Sequence, residues 1–214
     1  MIILVGGEKG GTGKTTVVTN LAALAINAGK DLLLVDTDKQ GSASSWASVR
    51  DENENVRRIP CIQKFGENIA REVRALNEKY ANILIDAGGQ NSQELRAAML
   101  VADKLYIPIQ AAQFDVWTLG VMDKLVSQAK LINEKLDANI LINRAPTNPS
   151  ISEIEEVKEV LEEFEHLKLS KNIIRERISF RKAARGGLSV AELSKQDPKA
   201  TTEILDVYKE IFNV

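Results

Sequence analysis

Residues 8–16, with the sequence EKGGTGKTT, combine three glycines with two lysines and end in two threonines. Glycine has no Cβ, so its backbone N–H groups can approach a bound anion closely. Leu21 and Leu24 then recur at helical spacing, and the N-terminus of such a helix carries a partial positive charge. The segment therefore predicts a phosphate-binding loop, in which Lys14 reaches the terminal phosphates and the Thr15 hydroxyl binds Mg²⁺.

Short apolar runs alternate with helical patterns along the rest of the chain. Strands are predicted at 2–5, 32–35, 82–85, 105–109 and 139–142, with weaker ones at 57–62 and 172–174. Helices are predicted at 14–28, 44–49, 67–80, 92–102, 116–136, 152–164 and 198–212. This alternation predicts an α/β fold: a doubly wound, mainly parallel sheet with helices on both faces. We expect one domain over residues 1–214.

Polar residues stand where three of the predicted strands end: Asp36, Asp86 and Asn143. In doubly wound sheets, ligands bind beyond the carboxyl ends of the strands. The sequence therefore predicts a binding site at this edge of the sheet, next to the glycine-rich loop.

Residues 9–16 resemble the deviant Walker A motif of the P-loop NTPase family that includes ParA, MinD and the nitrogenase iron protein. Glu8 departs from the general P-loop pattern, which has glycine there. The resemblance implies that Lys9 reaches the phosphates of a partner across a nucleotide-sandwich dimer. The resemblance also implies that Lys9 and Lys14 are catalytic residues. It implies that the nucleotide-binding residues of the loop are Gly10, Gly11, Thr12, Gly13, Lys14, Thr15 and Thr16.

Residues 33–40 resemble the switch I segment of the same family, Asp-x-Asp-Pro-Gln, with Lys39 in place of the proline. The resemblance implies that one aspartate positions the attacking water and contacts hydrated Mg²⁺. We assign that role to Asp36. By the same resemblance, Asp38 is expected to be a second catalytic residue, and with Gln40 to couple the switch to the dimer.

Residues 83–90 resemble Walker B and the switch II segment that follows it. The resemblance implies that Asp86 binds Mg²⁺ together with Thr15 and Asp36. Gly88 or Gly89 would let the backbone sense the γ-phosphate. Many ParA proteins have Pro-Pro after this aspartate, whereas this chain has Ala-Gly-Gly.

The end of the strand at 139–142 supplies the expected base contact. In the resembled family an asparagine at the position of Asn143 contacts adenine. The Asn-Lys-x-Asp signature of GTPases is missing near it, which favours ATP over GTP. By the same resemblance, Phe114 or Trp117 is expected near the dimer interface.

The net charge of −2 gives no overall attraction to nucleic acid, but the charge is unevenly placed. Residues 153–165 contain seven glutamates, and residues 168–185 contain seven basic residues. Proteins of the resembled family bind DNA without sequence preference through basic residues of this region. The residues that the resemblance assigns to DNA are Arg175, Arg177, Arg181, Lys182 and Arg185.

The resemblance implies a DNA-partitioning ATPase whose ATP-bound homodimer binds nonspecific double-stranded DNA. A separate centromere-binding, ParB-like protein would stimulate hydrolysis. The chain starts at its first strand, so we expect a small form without an N-terminal helix-turn-helix. The expected location is the cytoplasm, associated with the nucleoid, with no membrane partner.

Three alternatives stay open. The same ATPase could position another cargo, such as a carboxysome. A membrane-associated ATPase of the MinD kind needs a basic amphipathic C-terminal helix, but the helix at 198–212 carries Glu203, Asp206 and Glu210 against Lys209. A redox or metabolic relative is disfavoured, since an iron–sulfur reductase of the nitrogenase kind uses two cysteines per subunit and this chain has one.

Overall fold

The computed structural model describes residues 1–89, 92–110, 116–147 and 151–214, the last range with its side chains from 155 onward. The strands are β1 (Ile2–Val5), β2 (Leu32–Asp36), β3 (Cys61–Gln63), β4 (Asn82–Asp86), β5 (Lys104–Ile109), β6 (Asp137–Ala145) and β7 (Lys168–Arg175). The helices are α1 (Lys14–Asn27), α2 (Ser42–Asp51), α3 (Ile69–Asn77), α4 (Gln93–Met99), α5 (Val116–Lys130), α6 (Ile151–Leu161), α7 (Ile178–Arg185) and α8 (Pro198–Phe212).

The strands form one sheet in the order β3-β2-β4-β1-β5-β6-β7. Within the described ranges, every pair of neighbouring strands is parallel. Strand β1 lies at the centre, and the chain adds strands to both sides of it. This confirms the predicted doubly wound α/β fold.

The central strand shows why helices cover both faces. All four side chains of β1 are buried, and successive side chains of a strand point to opposite faces. Ile2 and Leu4 pack in a core that also contains residues of α3, α4, α5 and α6. Ile3 and Val5 pack in a second core, shared with α1, α2, α7 and α8. Burial on both faces explains the continuous apolar runs of these strands.

The largest departures from the predicted helices are a shorter α5 and the additional helix α7. The helix predicted at 116–136 ends at Lys130, because Asn133 turns the chain and donates its side-chain amide to the carbonyls of Met99 and Ala102. Helix α7 was not predicted. Only one face of it is apolar, where Phe180 and Ala183 are buried.

Among the described residues, no helix has both the length and the apolar character needed to cross a lipid bilayer.

Candidate functional site

The glycine-rich loop connects β1 to α1 at the carboxyl edge of the sheet, as predicted. Gly11 and Gly13 adopt positive φ angles of 75° and 90°, which residues with a Cβ rarely do. A Cβ on Gly13 would also collide with the side-chain amide of Asn143. The two glycines are therefore required by the shape of the loop. Gly10, Thr12 and Thr16 lie in the same turn and the first turn of α1.

The predicted magnesium ligands Thr15 and Asp86 are in direct contact. The Thr15 hydroxyl donates a hydrogen bond of 2.6 Å to Oδ2 of Asp86, and Asp86 is 1% exposed. Burial, with a smaller contribution from the nearby carboxylate of Asp36, raises the pKa of Asp86 to about 7, although the hydrogen bond from Thr15 acts in the opposite direction. Two hard oxygen ligands at a desolvated carboxyl group fit a divalent cation such as Mg²⁺, whose charge would stabilise the ionised form.

Lys14 lies beside this pair. Its side chain is 8% exposed overall, and its Nζ donates a 2.9 Å hydrogen bond to the carbonyl of Lys9. Burial lowers the pKa of Lys14, and the carboxylates of Asp86 and Asp38 oppose that shift. A Cβ on Gly89 would lie 3.8 Å from Lys14 Nζ, so the segment after Asp86 also reaches the loop.

The two switch I aspartates occupy different environments. Asp36 is fully buried; its Oδ1 accepts the amide of Asp38 at 3.0 Å, and its Oδ2 accepts the amide of Ser44 at 2.8 Å. Asp36 thus orders the loop and the start of α2. Asp38 is half-buried, and its carboxylate faces the backbone of Gly88, where a Cβ would lie 3.4 Å from Cγ. The geometry therefore gives Asp38 the more accessible carboxylate.

Lys9 lies on the exposed rim of the site. With Glu8, Gly10 and Gly89 it borders an open cleft of about 660 Å³, whose other wall is the start of α5. Trp117 on that wall is 76% exposed. Lys9 and Trp117 therefore face the same outer surface. Phe114 lies outside the described residues.

Asn143, the predicted adenine contact, is 2% exposed and donates its amide to the carbonyl of Thr12 at 2.7 Å. Its side chain thus contacts the phosphate loop. Beside it lies a cavity of about 190 Å³ between the loop and the segment that joins β7 to α7. The residues lining it are Gly13, Thr16, Asn143, Arg144, Arg175, Glu176, Arg177, Phe180 and Arg181.

The five basic residues assigned to DNA, between Arg175 and Arg185, divide into two groups. Arg177 donates from Nη2 to Glu203 Oε1 at 2.6 Å and from Nε to Oε2 at 3.2 Å, and its side chain is 14% exposed. Arg175 donates its amide to the same glutamate and its Nη1 to the carbonyl of Pro146. Of the five residues assigned to DNA, the exposed ones are Arg181, Lys182 and Arg185, all on α7.

Sequence reasoning missed two arginines of the site's surroundings. Arg144 donates from Nη1 to the carbonyl of Gly11 at 2.8 Å. Arg50 of α2 is 1% exposed and pairs with Glu192 at 2.7 Å, which fixes α2 against the segment after α7. Neither contact leaves a local pattern, since the partners are 133 and 142 residues apart.

Comparison with known proteins identifies a family and relatives that match most of the chain. Residues 3–190 match the family model described as the CobQ/CobB/MinD/ParA nucleotide-binding domain. The sporulation initiation inhibitor protein Soj of Bacillus subtilis is 27% identical over 254 residues, covering 98% of this chain and 97% of the relative. The maintenance of carboxysome distribution protein A of Halothiobacillus neapolitanus is 23% identical over 210 residues, covering 98% of this chain and 95% of the relative.

Among solved structures, that of apo McdA from Cyanothece superposes with a TM-score of 0.77 at 17% identity, covering 98% of each chain. At that identity the likeness concerns the fold, whereas the family model spans most of the chain. The chain therefore belongs to the CobQ/CobB/MinD/ParA nucleotide-binding family and is an ATPase of the ParA/MinD type.

Proposed function

We propose that this ATPase partitions DNA: its ATP-bound homodimer binds nonspecific double-stranded DNA, and hydrolysis releases it. One observation carries the proposal. The exposed basic helix α7 borders the phosphate loop itself, because Arg181 lines a cavity with Gly13 and Thr16. Arg185 lines a second cleft with Thr15 and Thr16. A change of nucleotide at the loop therefore has a short path to the basic surface.

The proposed phosphate site uses the contacts described above. The amides of residues 10–16 and the ammonium group of Lys14 would bind the phosphates of ATP. Thr15 and Asp86 would hold Mg²⁺, with Asp36 beside them. The cation would supply charge neutralisation at the phosphates. The geometry favours Asp38 as the residue that orients the attacking water, with Asp36 holding the switch loop in place.

The proposed dimer uses the outer surface that Lys9 shares with Trp117. A lysine supplied by the partner copy would stabilise charge that develops on the transferred phosphoryl group, as an arginine finger does, which is worth about 10³–10⁵ in rate. Exposure of the tryptophan on the same surface supports an interface there, since aromatic residues are enriched in interface cores.

The exposed basic residues of α7 suit binding to the phosphate backbone of DNA. Backbone neutralisation by Arg181, Lys182 and Arg185 needs no base contact and weakens as salt rises. We propose that a separate centromere-binding, ParB-like protein stimulates hydrolysis, and that the ATP-bound protein is cytoplasmic and associated with the nucleoid. We also propose that residues 1–214 form one domain.

A second candidate is the positioning of another cargo by the same ATPase. It is favoured by the relative named for carboxysome distribution, which matches 98% of this chain. A membrane track is less favoured. The apolar residues Ile204, Val207 and Ile211 of α8 are buried in the second core, so they are not available to insert into a bilayer.

Binding to a nonspecific DNA duplex with ATP, with ADP and without nucleotide tests the proposal. We expect binding with ATP alone, and loss of binding in Lys9→Ala if dimer formation precedes it. An ATP-bound wild-type protein that ignores DNA at low salt but co-sediments with vesicles containing phosphatidylglycerol would refute partitioning and favour a membrane track.

A further inference from the structure

The carbonyl groups of the phosphate loop are held from outside by residues that follow or end β5 and β6. The carbonyl of Gly11 accepts hydrogen bonds from Gln110 Nε2 at 3.0 Å and from Arg144 Nη1 at 2.8 Å. The carbonyl of Thr12 accepts one from Asn143 Nδ2 at 2.7 Å. Carbonyls turned outward leave neighbouring amides free to turn inward, which is the shape that binds an anion.

Arg144, which contacts the carbonyl of Gly11, has an unusual backbone conformation. Its φ angle is 54°, in the left-handed region that non-glycine residues rarely adopt. Such conformations persist where the surroundings determine them, and they concentrate at functional sites. Here the conformation accompanies a guanidinium that contacts both Gly11 and Glu176.

The second contact anchors Arg144. Its Nε donates to Oε2 of Glu176, and the amide of Glu176 in turn donates to the carbonyl of Ala145 at 2.8 Å. The glutamate is therefore fixed to the end of β6. Arg144 thus bridges two parts of the site, the phosphate loop and the segment that leads into α7.

The pair is a poor source of stability. The side chains of Arg144 and Glu176 are 42% and 36% exposed, and exposed ion pairs contribute little to folding. A contribution to the shape of the loop accounts better for the strained backbone.

We propose that Arg144 is a positioning residue for binding of the triphosphate, which sets the geometry of the phosphate loop through the carbonyl of Gly11. It acts on the triphosphate and does not read the base. This inference rests on the proposed seating of the nucleotide in the loop, and it is independent of the DNA track.

The test compares two probes, ATP and inorganic triphosphate, each with Mg²⁺. Their affinities are measured for the wild-type protein, Arg144→Ala, Arg144→Lys and the matched control Arg58→Ala. Arg58 is also an arginine paired at the surface, with Asp51 at 3.0 Å. We expect Arg144→Ala to weaken both probes by about tenfold, with unchanged Tm. Arg144→Lys should recover little, because an ammonium group lacks the fork that reaches two acceptors. Arg58→Ala should leave both affinities unchanged.

Loss of ATP affinity with unchanged triphosphate affinity would mean that Arg144 reads the base, and it would overturn the inference. Unchanged affinity for both probes would overturn it as well. If Arg144→Ala lowers Tm, the variant Gln110→Ala tests the inference instead. It removes the other donor to the same carbonyl and must also weaken triphosphate. A wild-type protein that binds both probes and ignores DNA would refute the partitioning function alone.

Discussion

The hydroxyl of Thr15 lies 2.6 Å from Oδ2 of Asp86, across the gap between the first helix and the neighbouring strand β4. The contact exists because β1 and β4 are adjacent parallel strands, with Val5 opposite Asp86. A loop that leaves β1 therefore brings its first helical turn over the end of β4. Two residues 71 positions apart in the sequence become one pair of oxygen ligands.

Asp86→Asn should keep the fold and remove ATP hydrolysis. The amide is isosteric but lacks the charge that a divalent cation requires, so we expect turnover to fall by at least about 100-fold. Steady-state phosphate release with Mg²⁺ measures the effect. Asp123→Asn is the matched control. That carboxylate accepts a 2.9 Å hydrogen bond from the backbone amide of His166 and does not belong to the proposed site. Full turnover in Asp86→Asn would refute the proposed magnesium site.

The two switch I aspartates should differ when each is replaced by alanine. Asp38→Ala should bind ATP normally and hydrolyse it at least about 100-fold more slowly, because it removes only the accessible carboxylate. Asp36→Ala leaves the amides of Asp38 and Ser44 without their buried acceptor, so it should lower Tm as well. Nucleotide affinity, turnover and thermal melting separate the two. A stable Asp36→Ala protein that binds ATP and fails to hydrolyse it would return the catalytic role to Asp36.

The buried pair of Arg50 and Glu192 predicts a pH dependence of stability. Burial alone would raise the pKa of Glu192, but hydrogen bonds from Arg50 and from the Ser189 amide outweigh it, and the pKa lies below its usual value. An acid whose pKa is lower in the folded state stabilises the protein above its unfolded pKa, near 4.5. That stability is lost as pH falls through the folded pKa.

Glu192→Gln should therefore lower the free energy of unfolding by about 3 kcal/mol at pH 7, since it leaves a buried guanidinium without a charged partner. The difference from wild type should shrink as pH falls below about 4.5. Denaturant unfolding from pH 3 to pH 7 measures it. Glu155→Gln, in an exposed pair with Lys158, is the control and should change little. A constant difference across this range would contradict the assignment.

Arg177 should prove structural. Its replacement by alanine removes two hydrogen bonds to Glu203, so we expect Tm to fall by roughly 5 °C. Arg181→Ala removes an exposed side chain whose contact with Glu176 is 3.9 Å long, and Tm should stay within about 1 °C. Thermal melting of both variants without nucleotide decides the point. Equal Tm values would show that the Glu203 pair contributes no stability.

The sequence places the strand, loop and helix of the proposed phosphate site correctly because their determinants are local. A glycine loop between an apolar strand and a helix is contained in residues 2–28, and Asp36 and Asp86 each end a buried strand. The order of types along the chain was enough to infer a doubly wound sheet, and that sheet necessarily brings its strand ends together.

What the sequence left undetermined depends on contacts between distant elements. Arg175 and Arg177 look equivalent to Arg181 in a basic run, and only the packing of α8 against β7 reveals that Glu203 takes the first two. Helix α7 spans only eight residues, about two turns, which is too short for its periodicity to be recognised. The extent of α5 was overestimated because Leu131 and Ile132 continue the apolar pattern, yet both are exposed.

The most direct test of the central claim is the salt dependence of binding to a nonspecific DNA duplex by the ATP-bound protein. It is measured for the wild-type protein and for a variant with alanine at Arg181, Lys182 and Arg185. We expect the wild-type protein to bind tightly with ATP and weakly with ADP. In the variant, the negative slope of log affinity against log salt should become less steep by roughly 2 to 3. Binding that is equal with ATP and ADP, or a slope that the triple replacement leaves unchanged, would contradict a nucleotide-controlled DNA surface on α7.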